Sequence, residues 1–373
     1  MAFLDNGDLI VLEISNGTVR RIINDTLQQK PLLDVNVSKV TGERGMLGVA
    51  TSKNIDGHEY VFLYFTESQV DNGEPIGNRL YRYEFANDKL VNPKLTLDLP
   101  VKPGPYHNGG SMTIGPDNNL YLTIGDLENE KYEQSLNSKI QNIKNGTDPN
   151  GSGGILRITQ DGRIVGEGII GNTYPSNLYY AYGLRNSFGI NFDPITGNLW
   201  DTENGPNFGD EINLVKPGFN SGWFKVQGIW QNEKGRIGHV LPNPNPKDLV
   251  DFDGKGKYSL PEFTWKGRYG PTALIFLDST RLGKEYENDL FIGDMHNGTI
   301  FHFDLTNDRY GLSLSGPLKD KVADDNKELE KNVFAQDFTG GITDLEVGPD
   351  GYLYVVSGIW GCEGNIYRIV PSN

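Results

Sequence analysis

The sequence predicts an all-β fold, a six-bladed β-propeller of four-stranded antiparallel blades. Three observations carry that prediction. A strand–turn–strand unit recurs along the chain, a returning strand follows each copy, and Gly, Asn, Asp and Pro punctuate the whole length. The clearest copies are Phe3-Leu-Asp-Asn-Gly-Asp-Leu-Ile-Val11, Ile114-Gly-Pro-Asp-Asn-Asn-Leu-Tyr-Leu122 and Val347-Gly-Pro-Asp-Gly-Tyr-Leu-Tyr-Val355. A fourth is Phe192-Asp-Pro-Ile-Thr-Gly-Asn-Leu-Trp200, and looser copies centre on residues 60–65 and 289–292. In each, a tight turn of Asp, Asn and Gly separates two apolar stretches, the pattern of a hairpin.

The returning strands agree with this count. They are Gly17-Thr-Val-Arg-Arg-Ile22, Asn78-Arg-Leu-Tyr-Arg-Tyr83, Gly154-Ile-Leu-Arg-Ile158, Glu211-Ile-Asn-Leu214, Gly298-Thr-Ile-Phe301 and Asn365-Ile-Tyr-Arg-Ile369. No linker composition interrupts the 373 residues, so one domain over 1–373 is expected, with long loop insertions near 127–152 and 225–262. The alternative, an irregular β-sandwich, does not explain six matched copies.

Bulk composition excludes several classes of function. A net charge of −15 repels polyanions, so nucleic acid is a poor partner. No apolar run approaches the ~20 residues of a membrane helix. Cys362 is the single cysteine, which excludes an intrachain disulfide. The first residues read straight into a strand, with no charged segment followed by an apolar one. Either the protein is cytoplasmic or a targeting segment precedes residue 1. Sequons at Asn16, Asn24, Asn36, Asn145, Asn150 and Asn297 permit glycosylation.

The chemistry concentrates in three loops. Among five histidines, His107 stands out in Pro103-Gly-Pro-Tyr-His-Asn-Gly-Gly110, where glycines allow close backbone or ligand approach. By itself a loop histidine is more often a hydrogen-bonding turn residue than a base. Tyr182-Gly-Leu-Arg-Asn-Ser-Phe-Gly189 offers Arg185 as a donor fork for a carboxylate, with Asn186 beside it. Equally, Arg185 could be a structural arginine bonded to loop carbonyls. Asp201-Thr-Glu-Asn-Gly-Pro-Asn-Phe-Gly-Asp-Glu-Ile-Asn213 is rich in oxygen donors of the type Ca²⁺ prefers, or else an acidic turn-rich connection.

Taken in order, Glu43 within Gly42-Glu-Arg-Gly-Met-Leu-Gly48, His107, Arg185-Asn186 and the run from Glu203 to Asn220-Ser-Gly-Trp223 resemble the soluble pyrroloquinoline quinone (PQQ)-dependent aldose sugar and glucose (sorbosone) dehydrogenases. The resemblance implies Ca²⁺-assisted oxidation of an aldose to its lactone. His107 is then the general base, hydride passes to the quinone, and an external acceptor takes the electrons. It implies that Asp210 orients His107, that Glu43, Arg185, Asn186, Asn204, Trp265 and His296 hold PQQ, and that the backbone carbonyls of Gly205 and Pro206 hold Ca²⁺. Glu211, with Ser221, resembles a separate structural Ca²⁺ site. An extracellular or periplasmic location goes with the family.

The sequence departs from the family's pattern in its cations. Gly341 and Thr343 stand where relatives carry two arginines, His296 where the glucose enzyme has lysine, and Glu43 replaces a glutamine found in some relatives. Each lost charge-assisted contact is worth ~1.5–3 kcal/mol, and Lys266, Arg268 or His296 could take over. Two other readings remain open at this point: a non-catalytic propeller that binds a glycan or protein, and a Ca²⁺-dependent propeller lactonase.

Overall fold

A computed structural model describes residues 1–38, 42–55, 57–127, 137–229, 246–358 and 364–372. These are nearly all β, with short 3-10 turns and no α-helix among the described residues. Among the described residues no helix is long and apolar enough to cross a membrane.

The repeat seen in the sequence is a repeat of hydrogen bonds. In the turn after Phe3, the Leu4 N–H donates to the Asp8 carbonyl and Gly7 N–H to the Leu4 carbonyl. Gly115 and Asn118 make the same two bonds, to Asn119 and Gly115, and so do Gly348 and Gly351, to Tyr352 and Gly348. The last residue of each turn is left-handed, at φ 87° for Gly7, 61° for Asn118 and 78° for Gly351. Glycine or asparagine is favoured there because most other side chains crowd the backbone at positive φ.

The chain divides into two compact units, residues 1–140 with 146–180, and residues 141–145 with 181–373. The first unit contains a small sheet in which Ala2–Phe3, Leu9–Glu13, Thr18–Ile23 and Thr26–Leu27 pair in order, with Leu33–Asp34 also on Thr18–Ile23. It contains a four-stranded antiparallel meander, Met46–Ile55, His58–Ser68, Pro75–Ala86 and Lys89–Asp98. A third antiparallel run joins Met112–Ile114, Asn119–Ile124 and Gly154–Thr159. One of its cores packs Ile10, Val19, Val37, Met46, Val61 and Leu63, all at or near zero exposure. These are inward positions of alternating strands.

The second unit repeats the scheme. Ser187–Phe192, Leu199–Glu203, Asp210–Val215 and Phe263–Trp265 form an antiparallel series that Val322–Ala323 joins in parallel. Pro271–Phe276, Leu290–Asp294, Ile300–Phe303 and Val333–Ala335 form another, and Ile342–Val347, Leu353–Ser357 and Asn365–Ile369 a third.

Four sheets share one irregularity. Their first strands skip a residue just after the opening pair: Leu47 between Met46 and Gly48, Phe188 between Ser187 and Gly189, Thr272 between Pro271 and Ala273, Thr343 between Ile342 and Asp344. Such bulges bend the strand and re-aim one side chain.

Of the expected insertions, residues 128–136 and 230–245 lie outside the described residues. The described part of the first insertion has a structural task. Asn142 and Asn220 exchange side-chain hydrogen bonds of 3.0 and 2.8 Å, and Asn142 Nδ2 donates to the Trp223 carbonyl at 2.7 Å. Both asparagines are buried, so this reciprocal pair satisfies groups that would otherwise be costly to desolvate.

Candidate functional site

In the first unit the structure brings Glu43 and His107 together. His107 is 5 % exposed and sits in the left-handed region at φ 57°, a strained conformation for a residue with a Cβ. Its surroundings hold it there. The Glu43 carboxylate accepts the His107 N–H at 2.8 Å, and Glu43 N–H donates to the Pro105 carbonyl at 2.7 Å. Below the loop, Asn108 donates to the carbonyls of Gly104 and Glu43, accepts from Asn78 Nδ2 at 2.8 Å, and receives the Tyr64 hydroxyl on its own carbonyl at 3.0 Å. Thr66 closes the network on Asn78 at 2.7 Å. A fully paired buried network of this kind rigidifies what it supports.

The carboxylate against His107 is Asp126. Its Oδ1 lies 2.6 Å from Nδ1, with both side chains buried. Asp210, expected in that role, does something else. Its Oδ1 accepts the Gly205 N–H, and its Oδ2 accepts the N–H groups of Tyr269 and Gly270, each at 2.8 Å. A carboxylate occupied by three backbone donors serves as a loop clamp. Burial raises its pKa, against the pull of those donors.

In the second unit Asp210 ties the Asn204–Asp210 stretch to residues 269–270. Those residues in turn accept the N–H groups of His296, on the Tyr269 carbonyl, and of Met295, on the Gly270 carbonyl. Arg185, Asn186, Asn204, Gly205, Asp210 and the His296 loop are thus linked by hydrogen bonds to the main chain, with Asn204 N–H on the Asn186 carbonyl at 2.8 Å. Arg185 donates from Nη1 to the carbonyls of Asn204 and Gly205, at 3.0 and 2.9 Å, and its guanidinium lies 5.5 Å from the Trp223 ring centroid. The side-chain carbonyl oxygens of Asn186 and Asn204 are buried without hydrogen-bond partners, which suits a ligand that brings donors.

Two expected residues are placed differently from their expected roles. Trp265, expected beside the cofactor, has no exposed surface and packs among Phe263, Tyr269, Phe301 and Phe303. It occupies an inward position of its strand, so its ring belongs to the core. His296 is pushed below the ordinary imidazole pKa by burial and by Arg268, against the pull of Asp210, so it is a poorer substitute for a lysine's fixed charge. Lys266 is exposed and paired with Asp324 at 2.8 Å. Arg268 lines a cavity of about 440 Å³ with Tyr269, Asn297, Asn326 and Lys327. No side chain fits at Gly341, where φ is +80° and a Cβ would fall 2.1 Å from the Met295 carbonyl oxygen. Thr343 is one of the four bulged residues.

Beside the Arg185 segment, Asp201, Glu203 and Glu211 are each buried to 1 % exposure or less. Glu203 accepts the Arg185 N–H on one oxygen and lies 2.6 Å from the Ser221 hydroxyl through the other. Ser221 Oγ also lies 3.2 Å from Glu211 Oε2, so two acids compete for one proton. Glu211 further accepts from Asn213, Gln227 and the Gly228 N–H. Neither oxygen of Asp201 has a well-formed hydrogen bond, although Ser187 and Asn213 lie near enough to soften its shift. Burial, then the charge of Glu203, drives both Asp201 and Glu211 well above the carboxylate range. Among the described residues no lysine or arginine pairs with Asp201 or Glu211. Carboxylates so placed either hold protons or hold a cation.

The chain is similar in sequence and in fold to known sugar dehydrogenases. The family model described as glucose/sorbosone dehydrogenase matches residues 1–368. Quinoprotein glucose dehydrogenase B of Acinetobacter calcoaceticus is 29% identical over 305 residues, covering 76% of this chain and 62% of that protein. The aldose sugar dehydrogenase YliI of Escherichia coli K12 is 24% identical over 376 residues, covering 100% of this chain and 90% of that protein. In fold, the PQQ-bound aldose sugar dehydrogenase of Streptomyces coelicolor superposes with a TM-score of 0.68 at 22% identity, covering 98% of this chain and 92% of that one. The apo form of the soluble E. coli aldose sugar dehydrogenase gives 0.71 at 21%, covering 100% and 95%.

Proposed function

The chain belongs to the glucose/sorbosone dehydrogenase family, and we propose that it oxidises aldose sugars to lactones with PQQ and Ca²⁺, passing the electrons to an external acceptor. The observation that carries this reading is the buried pair of His107 and Asp126. With Asp126 accepting from Nδ1, the ring is held in the tautomer whose basic nitrogen is Nε2. Glu43 and Asn108 fix the backbone, so the imidazole reaches its working position without reorganisation. Nε2 then takes the proton of the sugar's anomeric hydroxyl as hydride leaves the same carbon. Asp126 stabilises the imidazolium that forms.

PQQ, when bound, supplies the hydride acceptor. The residues that would hold it are Arg185, Asn186 and Asn204. Arg185 and the amide N–H groups of Asn186 and Asn204 would donate to its carboxylate and carbonyl oxygens, while the two orphaned amide oxygens could take only its single pyrrole N–H. Arg185 would have to release the Gly205 carbonyl before a cation could use it, because a guanidinium and Ca²⁺ repel each other across one oxygen. The second metal position fits better. Asp201, Glu203 and Glu211, with Ser221, present hard oxygen ligands and excess negative charge, which is what Ca²⁺ stabilises.

The same proposal includes one six-bladed domain and an extracellular or periplasmic location. Its test is reconstitution with PQQ and Ca²⁺, followed by dye reduction with a panel of aldoses. Saturable quinone binding and sugar-dependent reduction are expected. A protein that binds no PQQ at tens of micromolar refutes it.

A further inference from the structure

The strand Leu290–Asp294 carries a second set of ligand atoms at the end remote from Asp294. His302 stands opposite Phe291 in the neighbouring strand. Its ring is wedged by Tyr286, edge-on, and by Phe291, with both centroids 5.1 Å away. That packing aims Nε2 at two carboxylates, 3.0 Å from Asp289 Oδ2 and 3.7 Å from Asp304 Oδ1. The three donor atoms all lie within 4.8 Å of one another. Among the described residues no lysine or arginine pairs with either acid.

From this geometry we infer that Asp289, His302 and Asp304 bind a divalent transition-metal ion of the Zn²⁺ class, with solvent completing its shell. Ligands about 2.0–2.2 Å from a tetrahedral metal stand roughly 3.3–3.5 Å apart, and the two measured separations bracket that range. One imidazole nitrogen with two carboxylate oxygens suits Zn²⁺ and its neighbours, whereas Ca²⁺ takes oxygen ligands. The site is therefore chemically distinct from the all-oxygen cluster around Glu211. Five residues of extended chain, at about 3.3 Å each, also place Asp289 roughly 16 Å from Asp294. Asp289 and His302 are held at 13 % and 18 % side-chain exposure, while Asp304, at 64 %, opens the site to solvent. A bound ion would fasten the chain after Phe303 to the chain before Leu290.

The rival is a protonated imidazole shared by two acids, with no metal. Calorimetric titration of the full chain with Zn²⁺, under saturating Ca²⁺, separates the two. One Zn²⁺ per chain is expected, with Asp304→Asn and His302→Gln each weakening it about tenfold or more. Asp304→Asn changes only an exposed side chain, so its result does not depend on refolding of the core. Co²⁺ should give visible absorption bands that disappear in His302→Gln. Zn²⁺ affinity unchanged in both variants, or no stoichiometric binding below about 0.1 mM (roughly −5.5 kcal/mol), overturns the assignment.

Discussion

The tripeptide Ile-Gly-Asp closes one strand in each unit, Ile124-Gly-Asp126 and Ile292-Gly-Asp294, and the two aspartates meet different fates. Asp126 is buried against the imidazole of His107. Asp294 has no exposed surface, one oxygen on the Asn297 N–H and the other with no partner, and its pKa is raised to about 6, chiefly by burial. The backbone delivers a carboxylate to the same kind of place in both sheets. The partner sets the difference: Asp126 faces an imidazole, whereas Asp294 faces no cation among the described residues and keeps its proton to a higher pH than an ordinary aspartate. Asp201 and Glu211 extend the second case, since their charges too lack a cationic side chain.

The contrast is broken most severely at His107. In PQQ- and Ca²⁺-loaded protein, His107→Ala should lower kcat by about 10²–10⁴ while leaving quinone affinity intact. A loss of quinone affinity instead would make His107 a binding residue. Asp294 is tested by pH. Its folded pKa of about 6 lies above the ordinary 3.8, so the native state holds a proton that the unfolded chain releases between these values. The stability from that proton is complete below pH ~4 and is lost as pH rises through ~6, about 3 kcal/mol in all. In urea melts across this range, Asp294→Asn should remove that part of the slope. A variant with the wild-type slope would show that Asp294 titrates normally.

Metal removal sharpens the comparison on the side of the crowded acids. Ca²⁺ at a hundredfold above Kd should stabilise the chain by about 2.7 kcal/mol, and chelation should reverse it. Asp201→Asn should weaken this response, and a melting temperature indifferent to chelator would mean that the acids hold protons. The smallest effect is expected at the satisfied pair. Asp126→Asn should cost roughly 10–100-fold in kcat without altering the response to Ca²⁺.

Much of this was legible in the sequence because turns and strands are local. The Asp-Asn-Gly turns announced their own hydrogen bonds, and the returning strands their apolar faces. His107 stood out because its loop is rich in glycine, and Arg185 because a guanidinium beside an amide suits a carboxylate; Glu43 and Asn204 were marked only by the family resemblance. Asp126 was missed, since it lies nineteen residues from its histidine and no spacing rule links a loop to the end of the next strand. Its repetition in Ile-Gly-Asp was the available signal. Trp265 and Asp210 misled for a related reason. A residue type states what a side chain can do, while burial and neighbours state what it does: Trp265 fills the core, and Asp210 clamps three backbone donors.

The bulges after Met46, Ser187, Pro271 and Ile342 divide the labour of the chain. The skipped residues are Leu47, Phe188, Thr272 and Thr343, and three of the four are only half-buried. The apolar positions that hold the sheets together lie on either side of the skipped residues, Met46 and Val49 on one strand, Ile342 and Leu345 on another. Substitution at Leu47, Phe188 or Thr343 therefore leaves the register, set by the pairs on either side, fixed, whereas Thr272, buried and bonded to the carbonyls of Gly293 and Ile342, lacks that freedom. At the three half-buried bulges one side chain can change at a time with little loss of melting temperature.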